Sequence, residues 1–461
     1  MISIKNDVRK HVLSLAMPVV AEQIAVMLLG IINMIMVGRL GKEAVSAVGI
    51  VDMFNRCIFP LFSGVSTGGT ILVAHSIGQG DRQKACEIAK QAIYSGTVLA
   101  VIIAVIIELA QGPIMYLLYG AADDLVMHYA LAYFRITIFS YPFMFIYYLT
   151  NGVMRGSGDS KTPMKVTLVM NGVSAVLSYF LIYGLNVHFG SINLHFVGHG
   201  VEGAALGVSI ARVVGAAINA YILIRGHRTI HINQWNRFKP KTKTILEVLR
   251  LGIPYGMEQF SMQTGKLILQ IVIIGMGTTA IAANTIGMSI MSLCITPGYG
   301  FNLAAVTLVG QALGAGNENE AKKDTREVLK IDMLSMVIMS IVIIIFAPNL
   351  FAFYSNDSGV INCGISIIRI YALSQPLLAI VQVLSGTLRG GGDTKYPMIA
   401  TFIGVWLFRL LFGYILGVLF NMGINGVWIA MSIDLALRAF LFVIRYKHGK
   451  WKTMMTERDQ E

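Results

Sequence analysis

Apolar runs of about 20 residues or more recur along this 461-residue chain, with short polar segments between them. As a helix, a run of this length crosses a hydrocarbon core of roughly 30 Å. Helices are required there because each segment must satisfy its own backbone polar groups, and the alternating pattern of a membrane barrel is absent. Charged residues make up 13% of the chain, against about 25% in soluble domains. The sequence therefore predicts an all-α integral membrane protein.

The chain also contains two copies of one long unit. Shifts of 236 and 234 positions bring matching residues into register: Pro18 with Pro254, Glu22 with Glu258, Gly78 with Gly314, Arg155 with Arg389, and Asp159 with Asp393. Solenoid repeats have periods of up to about 50 residues, so this unit is a half-protein and not a solenoid repeat. We expect two pseudo-symmetric lobes.

We place twelve transmembrane helices, six in each copy. They lie near residues 11–37, 47–75, 92–112, 129–152, 162–186, 201–224, 248–275, 282–312, 328–347, 362–386, 396–420 and 424–446. Because six is even, both copies have the same orientation and the repeat is parallel. The predicted domains are an N-terminal lobe over 1–224, a cytoplasmic linker over 225–247, and a C-terminal lobe with a short cytoplasmic tail over 248–461.

The basic residues predict which side of the membrane each link occupies. With the N-terminus inside, the inner segments hold 27 of the 36 Lys and Arg residues, and the outer links hold two. Such asymmetry is what the positive-inside rule describes. We therefore expect both termini to be cytoplasmic in the cell (inner or plasma) membrane. The net charge of +12 is accounted for by topology and anionic lipid, without nucleic acid.

Two carboxyl groups repeat inside the spans. Glu22 lies about ten residues into its span, roughly 15 Å deep, and Glu258 lies at the equivalent place. Ionisable residues in spans usually face a bundle interior or a water-filled cavity. Because burial penalises a charged carboxyl, such a group suits the exchange of protons for a cationic substrate. Alternatively, each glutamate is bonded to a neighbour and only fixes helix packing. Lys266, two turns beyond Glu258, is a candidate counter-charge.

Two glycine-rich turns carry paired charges, Arg155 with Asp159 and Arg389 with Asp393. These are candidate gating residues, which would hold one half against the other on the cytoplasmic face and release during opening. The alternative is that each turn is simply solvated.

Other features of the spans point to bending and to ion pairing. Pro18 and Pro254 lie inside the first and seventh spans, where a proline permits a kink. Arg409 is deep and needs an acidic partner, and Asp434 is available from the neighbouring span. Asp434 and Arg438 are four residues apart and can also pair on one helix face.

Catalytic motifs are missing from the sequence. It contains no nucleotide-binding P-loop, no G-x-S-x-G and no metallohydrolase spacing. We expect no enzyme activity, no metal and no organic cofactor, so that any pumping draws on a gradient of H⁺ or Na⁺. The expected partners are a small organic substrate and membrane lipid, with no nucleic acid and no obligate protein partner.

Several motifs together carry a family resemblance. They are Pro18 with Met36-Val-Gly-Arg-Leu-Gly41, Gly78-Gln-Gly80 before a basic helix, the duplicated R-G-x-G-D-x-K-x-P blocks, and the closing Gly449-Lys-Trp451. Over nearly its whole length the chain resembles the multidrug and toxic-compound extrusion (MATE) family. The resemblance implies a V-shaped pair of six-helix lobes that exports organic, often cationic, compounds in exchange for Na⁺ or H⁺.

The chain departs from this family in its N-terminal lobe. Asn33 stands where many members carry an aspartate, and Ser174 and Ser178 stand where such members carry an asparagine and an aspartate. Asn171 is retained one turn earlier. The cation site that the resemblance implies here is therefore electrically neutral. We assign the coupling charge to the two repeated glutamates instead, with Asn33, Asn171 and the charged residues above as further candidates.

The sequence thus predicts a secondary antiporter that exports organic, cationic drugs or toxic metabolites by alternating access of two lobes. The alternative within the same superfamily is a flippase or exporter of a lipid-linked or polar metabolite, which would require no ion gradient. A non-transporting receptor or scaffold would move no substrate under any gradient.

Overall fold

The computed structural model describes residues 2–120, 122–189, 192–226, 230–232 and 238–455. The first half is helical apart from one hairpin within these residues. Its elements are α1 (Ile2–Gly38), α2 (Lys42–Gly78), α3 (Arg82–Tyr119), α4 (Asp124–Ile138), α5 (Tyr141–Gly156), α6 (Lys161–Tyr183), β1 (Gly184–Phe189), β2 (Ile192–Val197) and α7 (Gly200–Arg225). The two strands pair antiparallel, with Gly184 opposite Val197.

The second half follows the same order without a hairpin among its described residues. Its helices are α8 (Thr242–Ile274), α9 (Thr278–Gly314), α10 (Glu318–Tyr354), α11 (Ser358–Gly390), α12 (Lys395–Ile403), α13 (Phe412–Tyr414) and α14 (Gly423–His448). Two π-helical segments, Gly404–Leu411 and Ile415–Leu419, flank α13 and join it to α12 as one span. A 3₁₀ turn over Lys450–Lys452 follows α14.

Ten helices in the described part of the chain are long and apolar enough to cross a membrane, or eleven when α4 and α5 count as one bent span. The remaining span is α8, which is 33 residues long but more polar, since it carries Glu258 and Lys266. The predicted all-α fold of twelve spans in two lobes is confirmed.

The helices alternate in direction, so the links gather at two ends of the bundle. One end, called the basic end below, holds the start of α1, the end of α14, the links 79–81, 157–160, 315–317 and 391–394, and the described residues of the link between α7 and α8. Most Lys and Arg residues outside the spans belong to it. The side of the membrane on which this end lies stays a prediction.

Neither repeated proline interrupts its helix. Pro18 lies inside α1 and Pro254 inside α8, and both helices continue through them, so bending there stays a prediction. The break found among the described spans lies between α4 and α5, which meet at 50°. Pro142 stands in the first turn of α5, after this break. Its repeat equivalent, Pro376, lies inside the continuous α11.

Glycines bring the two lobes into close contact along α2 and α8. A Cβ on Gly64 would lie 2.7 Å from the carbonyl oxygen of Gly252 and 2.8 Å from the Cα of Gly256. One turn nearer the basic end, a Cβ on Gly68 would overlap the carbonyl oxygen of Val248. Small residues of this kind let membrane helices pack backbone to backbone. The contact between α2 and α8 therefore excludes larger side chains.

The two lobes also make close contact where α2 and α9 end. A Cβ on Gly78 would overlap the carbonyl oxygen of Gln311, and one on Gly314 would overlap that of His75. The side-chain amide of Gln311 donates to the carbonyl of Gly156 at 3.0 Å. The basic end of the bundle is thus the end at which the lobes meet.

The link between the lobes is attached to the N-terminal lobe. The amide of Gln91 in α3 donates to the carbonyl of Lys239 at 2.8 Å and accepts from the backbone N–H of Lys241 at 3.0 Å. Ile230 and Ile232 are buried. The next helix, α8, begins at Thr242, whereas the sequence analysis places the linker over 225–247.

Candidate functional site

In the N-terminal lobe, one buried ion pair joins three helices. Glu22 of α1 accepts hydrogen bonds from Nη2 of Arg155, at the end of α5, at 2.6 and 2.7 Å. Oγ1 of Thr167 in α6 lies 3.0 Å from the same carboxylate, and the hydroxyl of Tyr147 contacts this threonine. Glu22 is 3% exposed. The carboxylate is therefore held by groups from α5 and α6 and is closed to solvent.

The C-terminal lobe contains the equivalent pair. Nη2 of Arg389, at the end of α11, donates to both oxygens of Glu258 at 2.8 and 2.9 Å, and Oγ1 of Thr401 lies 3.2 Å away. Here the arginine has further partners. Its Nη1 donates to Asn302 at 3.3 Å, and its guanidinium lies 4.4 Å from the ring centroid of Tyr255.

Lys266, the candidate counter-charge of Glu258, makes no ion pair with it in the structure; Arg389 does. Arg389 holds that carboxylate from α11, because α11 ends beside the part of α8 that carries Glu258. Lys266 lies two turns further along α8, away from the basic end.

Arg155 and Arg389 pair with the two glutamates and not with the aspartates of their own turns. Asp159 accepts hydrogen bonds from the first turn of α6, and Asp393 accepts one from Nε of Arg445 at 2.7 Å. Each of these contacts lies within one lobe, and a gating role for the four residues stays a prediction. The backbone of Arg155 contacts the other lobe, since its carbonyl accepts from Oγ1 of Thr307 in α9 at 3.2 Å.

The partners of Glu22 stand near the ends of their helices at the basic end. Thr167 is six residues after the start of α6 at Lys161, or about 9 Å along the helix axis. Arg155 is one residue before the end of α5. Each glutamate nevertheless stands near the middle of its own helix, α1 or α8, so its depth in the membrane stays a prediction.

A cavity of about 180 Å³ opens beside the C-terminal ion pair, among α8, α9, α11, the first π-helical segment and α14. Asp434 stands behind its wall, fully buried. Arg409 donates to one oxygen of Asp434 through Nε at 2.9 Å and Nη2 at 2.6 Å, and Nε of Arg438 donates to the other at 2.8 Å. Both ion pairs predicted for Asp434 are therefore present. Lys266, Arg409 and Arg438 line the cavity.

A family model described as MatE matches the chain twice, over residues 18–180 and 254–415. The two matches begin at the repeated prolines and together cover most of the chain. The chain belongs to the MATE family. Members of this family are secondary transporters, and the protein is thus a multi-pass membrane transporter of the multidrug efflux type.

Relatives of this MATE protein match it over almost their whole length. A probable multidrug resistance protein NorM of Thermotoga maritima is 29% identical over 446 residues, which are 97% of this chain and 94% of the relative. A structure of a multidrug resistance MATE family transporter of the MOP superfamily, in an outward-facing conformation, superposes with a TM-score of 0.88 at 24% identity, over 96% and 97% of the two chains.

A second solved structure has the same fold. It is a MOP superfamily transporter from Pyrococcus furiosus, described as having a binding pocket of reverse polarity that suggests a different function. It superposes with a TM-score of 0.86 at 24% identity and covers 96% of this chain and 97% of its own. These likenesses establish the fold of the MATE protein.

The N-terminal lobe of this MATE protein carries a group of neutral polar residues on α1 and α6, called the neutral cluster below. Asn171, Ser174 and Ser178 follow one another along a face of α6, and Asn33 lies on the neighbouring α1. Each has one buried polar atom without a hydrogen-bond partner in the part of the chain that the structure describes. Buried polar atoms of this kind require water or another polar partner. A role for this cluster in ion binding stays a prediction.

The predicted site residues include both members of each Glu–Arg pair, but neither the threonines nor the pairing itself was predicted. The available signal was the repeat, because the 234-position shift that relates Arg155 to Arg389 also relates Thr167 to Thr401. Asn302, which bonds to the second arginine, is matched to a serine and gave no such signal.

Proposed function

We propose that this MATE protein is an ion-coupled antiporter of the cell membrane that exports organic compounds by alternating access. In this proposal the basic end and both termini face the cytoplasm, which the distribution of Lys and Arg residues supports. The moving bodies are the N-terminal lobe over 1–224 and the C-terminal lobe over 248–461, with 225–247 between them.

The observation that carries the proposal is the pair of equivalent Glu–Arg contacts beside the lobe interface. Arg155, which holds Glu22, also accepts a hydrogen bond from Thr307 of the other lobe through its carbonyl. In the C-terminal lobe, Gly256 lies two residues before Glu258, and its Cβ position is 3.3 Å from the Cα of Leu61 in α2. Separation of either ion pair therefore acts directly on the interface.

The coupling step is an exchange of partners at a buried carboxylate. While the pair is closed, the arginine neutralises the glutamate. Removing one member of a buried ion pair costs about 3–5 kcal/mol, so the arginine can leave only if H⁺ or Na⁺ takes its place. An ion that binds the separated state better than the closed state shifts the population of lobe conformations. This is the requirement for driving transport with an ion gradient.

The charge of the substrate is a separate question. The family resemblance predicts a cation, whereas one solved protein of the same fold is described with a binding pocket of reverse polarity. The fold therefore does not determine substrate charge. The charges that line the cavity of this chain are the relevant evidence.

Transport by reconstituted protein tests the proposal. Proteoliposomes are loaded with ethidium or with carboxyfluorescein, and H⁺ and Na⁺ gradients are imposed separately. We expect one gradient to drive efflux of one dye, and Glu22→Gln and Glu258→Gln each to abolish the gradient dependence. Glu202→Gln, which changes an exposed carboxyl group in α7, should behave as wild type.

Two outcomes would contradict this assignment. Gradient-driven efflux that survives both glutamate substitutions would place coupling elsewhere, with the neutral cluster around Asn33 as the next candidate. Movement of a fluorescent lipid without any gradient, in the absence of dye efflux, would favour the flippase.

A further inference from the structure

The cavity of the C-terminal lobe contains more positive than negative charge. Four cationic side chains line it, namely Lys266, Arg389, Arg409 and Arg438, and Glu258 is the carboxylate that lines it among the described residues. Glu258 is fully engaged by Arg389. The guanidinium groups of Arg409 and Arg438 and the ammonium group of Lys266 are then left with the single negative charge of Asp434 behind the wall. The balance is an excess of two positive charges.

Asp434 cannot neutralise both of its arginines. Its two oxygens accept four hydrogen bonds, two from Arg409 and two from Arg438. The remaining Nη1 of Arg438 contacts the sulfur of Met262 at 3.7 Å, and Nη1 of Arg409 has no hydrogen-bond acceptor in the described part of the chain. Guanidinium groups with unused donors match the geometry of carboxylate and phosphate oxygens.

Lys266 lies among other cations of the cavity wall. It makes no ion pair and no side-chain hydrogen bond to the residues that the structure describes. The charged groups that act on it are cations: Arg409, Arg56 and Arg438. Holding unpaired cations together away from bulk water is unfavourable unless an anion joins them. A negatively charged ligand would supply the counter-charge that these groups lack among the described residues.

The rest of the lining accommodates an organic body. Met262, Met291, Met431 and Tyr371 present polarizable and aromatic surface, and Gln259 and Gln263 add amides that bond to no other described residue. Methionine side chains adapt to ligands of different shape. A small inorganic anion would satisfy the charge but leave this apolar surface unused.

We propose that the C-terminal cavity is the substrate site and that its substrate is an organic anion whose carboxylate or phosphate group lies between Lys266 and the two arginines. This inference rests on the proposed transport function and replaces the cationic substrate predicted from the family resemblance. The anion comes either from a soluble metabolite or from a lipid headgroup, since both present the same oxygens.

Equilibrium binding to the purified full-length protein in neutral detergent, without any gradient, tests the inference. The probes are carboxyfluorescein as the anion and rhodamine 6G as the cation, followed by fluorescence anisotropy. We expect saturable binding of carboxyfluorescein that Lys266→Gln weakens about tenfold or more and that Lys266→Arg changes less than about twofold. Lys322→Gln, an exposed lysine in α10, is the matched control and should bind as wild type.

Competition identifies the source of the anion. Displacement of the dye by water-soluble short-chain phosphatidylglycerol but not by inorganic phosphate or citrate indicates a lipid headgroup. Displacement by citrate at equal or lower concentration indicates a soluble organic acid. Either result supports an anion site.

The inference is overturned if wild type binds rhodamine 6G but not carboxyfluorescein, or if Lys266→Gln and wild type bind carboxyfluorescein equally. Because binding is measured without a gradient, these outcomes are separate from failure of the transport proposal. If only the transport proposal fails, carboxyfluorescein binds as expected, yet no gradient moves it across the membrane.

Discussion

Glu22 and Glu258 have equivalent partners in the two lobes, whereas the charged residues Lys266, Arg409, Asp434 and Arg438 have uncharged residues at the matching positions of the N-terminal lobe. Shifts of 236, 234 and 223 positions match Lys266, Arg409, Asp434 and Arg438 to Gly30, Ala175, Ala211 and Gly215. The N-terminal lobe thus keeps the ion pair and carries small residues where the C-terminal lobe carries a charged network. A feature present in both copies suits a motion that both lobes share, and a feature of one copy suits a site in that lobe.

The largest effect that would test this comparison comes from Asp434→Asn. The substitution leaves Arg409 and Arg438 buried without their shared counter-charge, so we expect the free energy of unfolding to fall by about 5 kcal/mol. Denaturation in detergent, followed by tryptophan fluorescence, measures it. Glu202→Gln is the control and should change it by less than about 0.5 kcal/mol. Equal stability of the two variants would mean that the network holds no buried charge.

Replacing the glutamate of each ion pair should lower the stability of the protein by different amounts. Glu22→Gln leaves Arg155 without an acidic partner, for an expected loss of about 3–4 kcal/mol. Glu258→Gln should cost about 1–2 kcal/mol less, because Arg389 keeps its hydrogen bond to Asn302 and its aromatic contact. The same denaturation assay compares them. A greater loss for Glu258→Gln would show that these extra contacts do not stabilise Arg389.

Equivalent glycines offer a packing test of the same comparison. A Cβ on Gly386 would overlap the backbone carbonyl of Asn302, whereas one on Gly152 would first meet the side-chain oxygen of Ser66. We expect Gly386→Ala to lower stability by about 2–3 kcal/mol and Gly152→Ala by about 1 kcal/mol. Gly30→Ala, which meets nothing within 4 Å, should raise stability slightly. Identical melting of all three variants would contradict the packing described above.

The smallest effect concerns the threonines that bond to the glutamates. Valine keeps the shape of threonine and removes the hydroxyl, so Thr167→Val and Thr401→Val should each cost about 1 kcal/mol. The loss should be larger for Thr167, whose hydroxyl also contacts Tyr147. Melting temperatures of the two variants provide the comparison. A larger loss for Thr401→Val would mean that the Tyr147 contact adds nothing.

The sequence was sufficient for the fold because span length and the repeat are both properties of the chain itself. The span α8 is more polar than the others, but the repeat matches it to α1 and so supports its assignment as a span. The break between α4 and α5 was not predicted. Pro142 stands beside it, but the equivalent Pro376 lies in an unbroken helix, so the proline does not decide where a span breaks.

The residues of the candidate site were predicted, but only some of the contacts between them were. The pairs of Asp434 were correct because Arg438 is four residues away on the same helix and Arg409 is on the preceding span, joined by a short link. The partner of Glu22 comes from a helix more than 130 residues away. Which distant helix ends beside which carboxylate depends on lobe packing, and a single sequence does not contain that information.

The attachment of the link by Gln91 has a mechanical consequence. Because the side chain of Gln91 holds the backbone at Lys239 and Lys241, the link must travel with α3 whenever the lobes rock. If the lobes move against each other, residues 239–241 would stay with α3, and the chain would have to bend where α8 begins at Thr242.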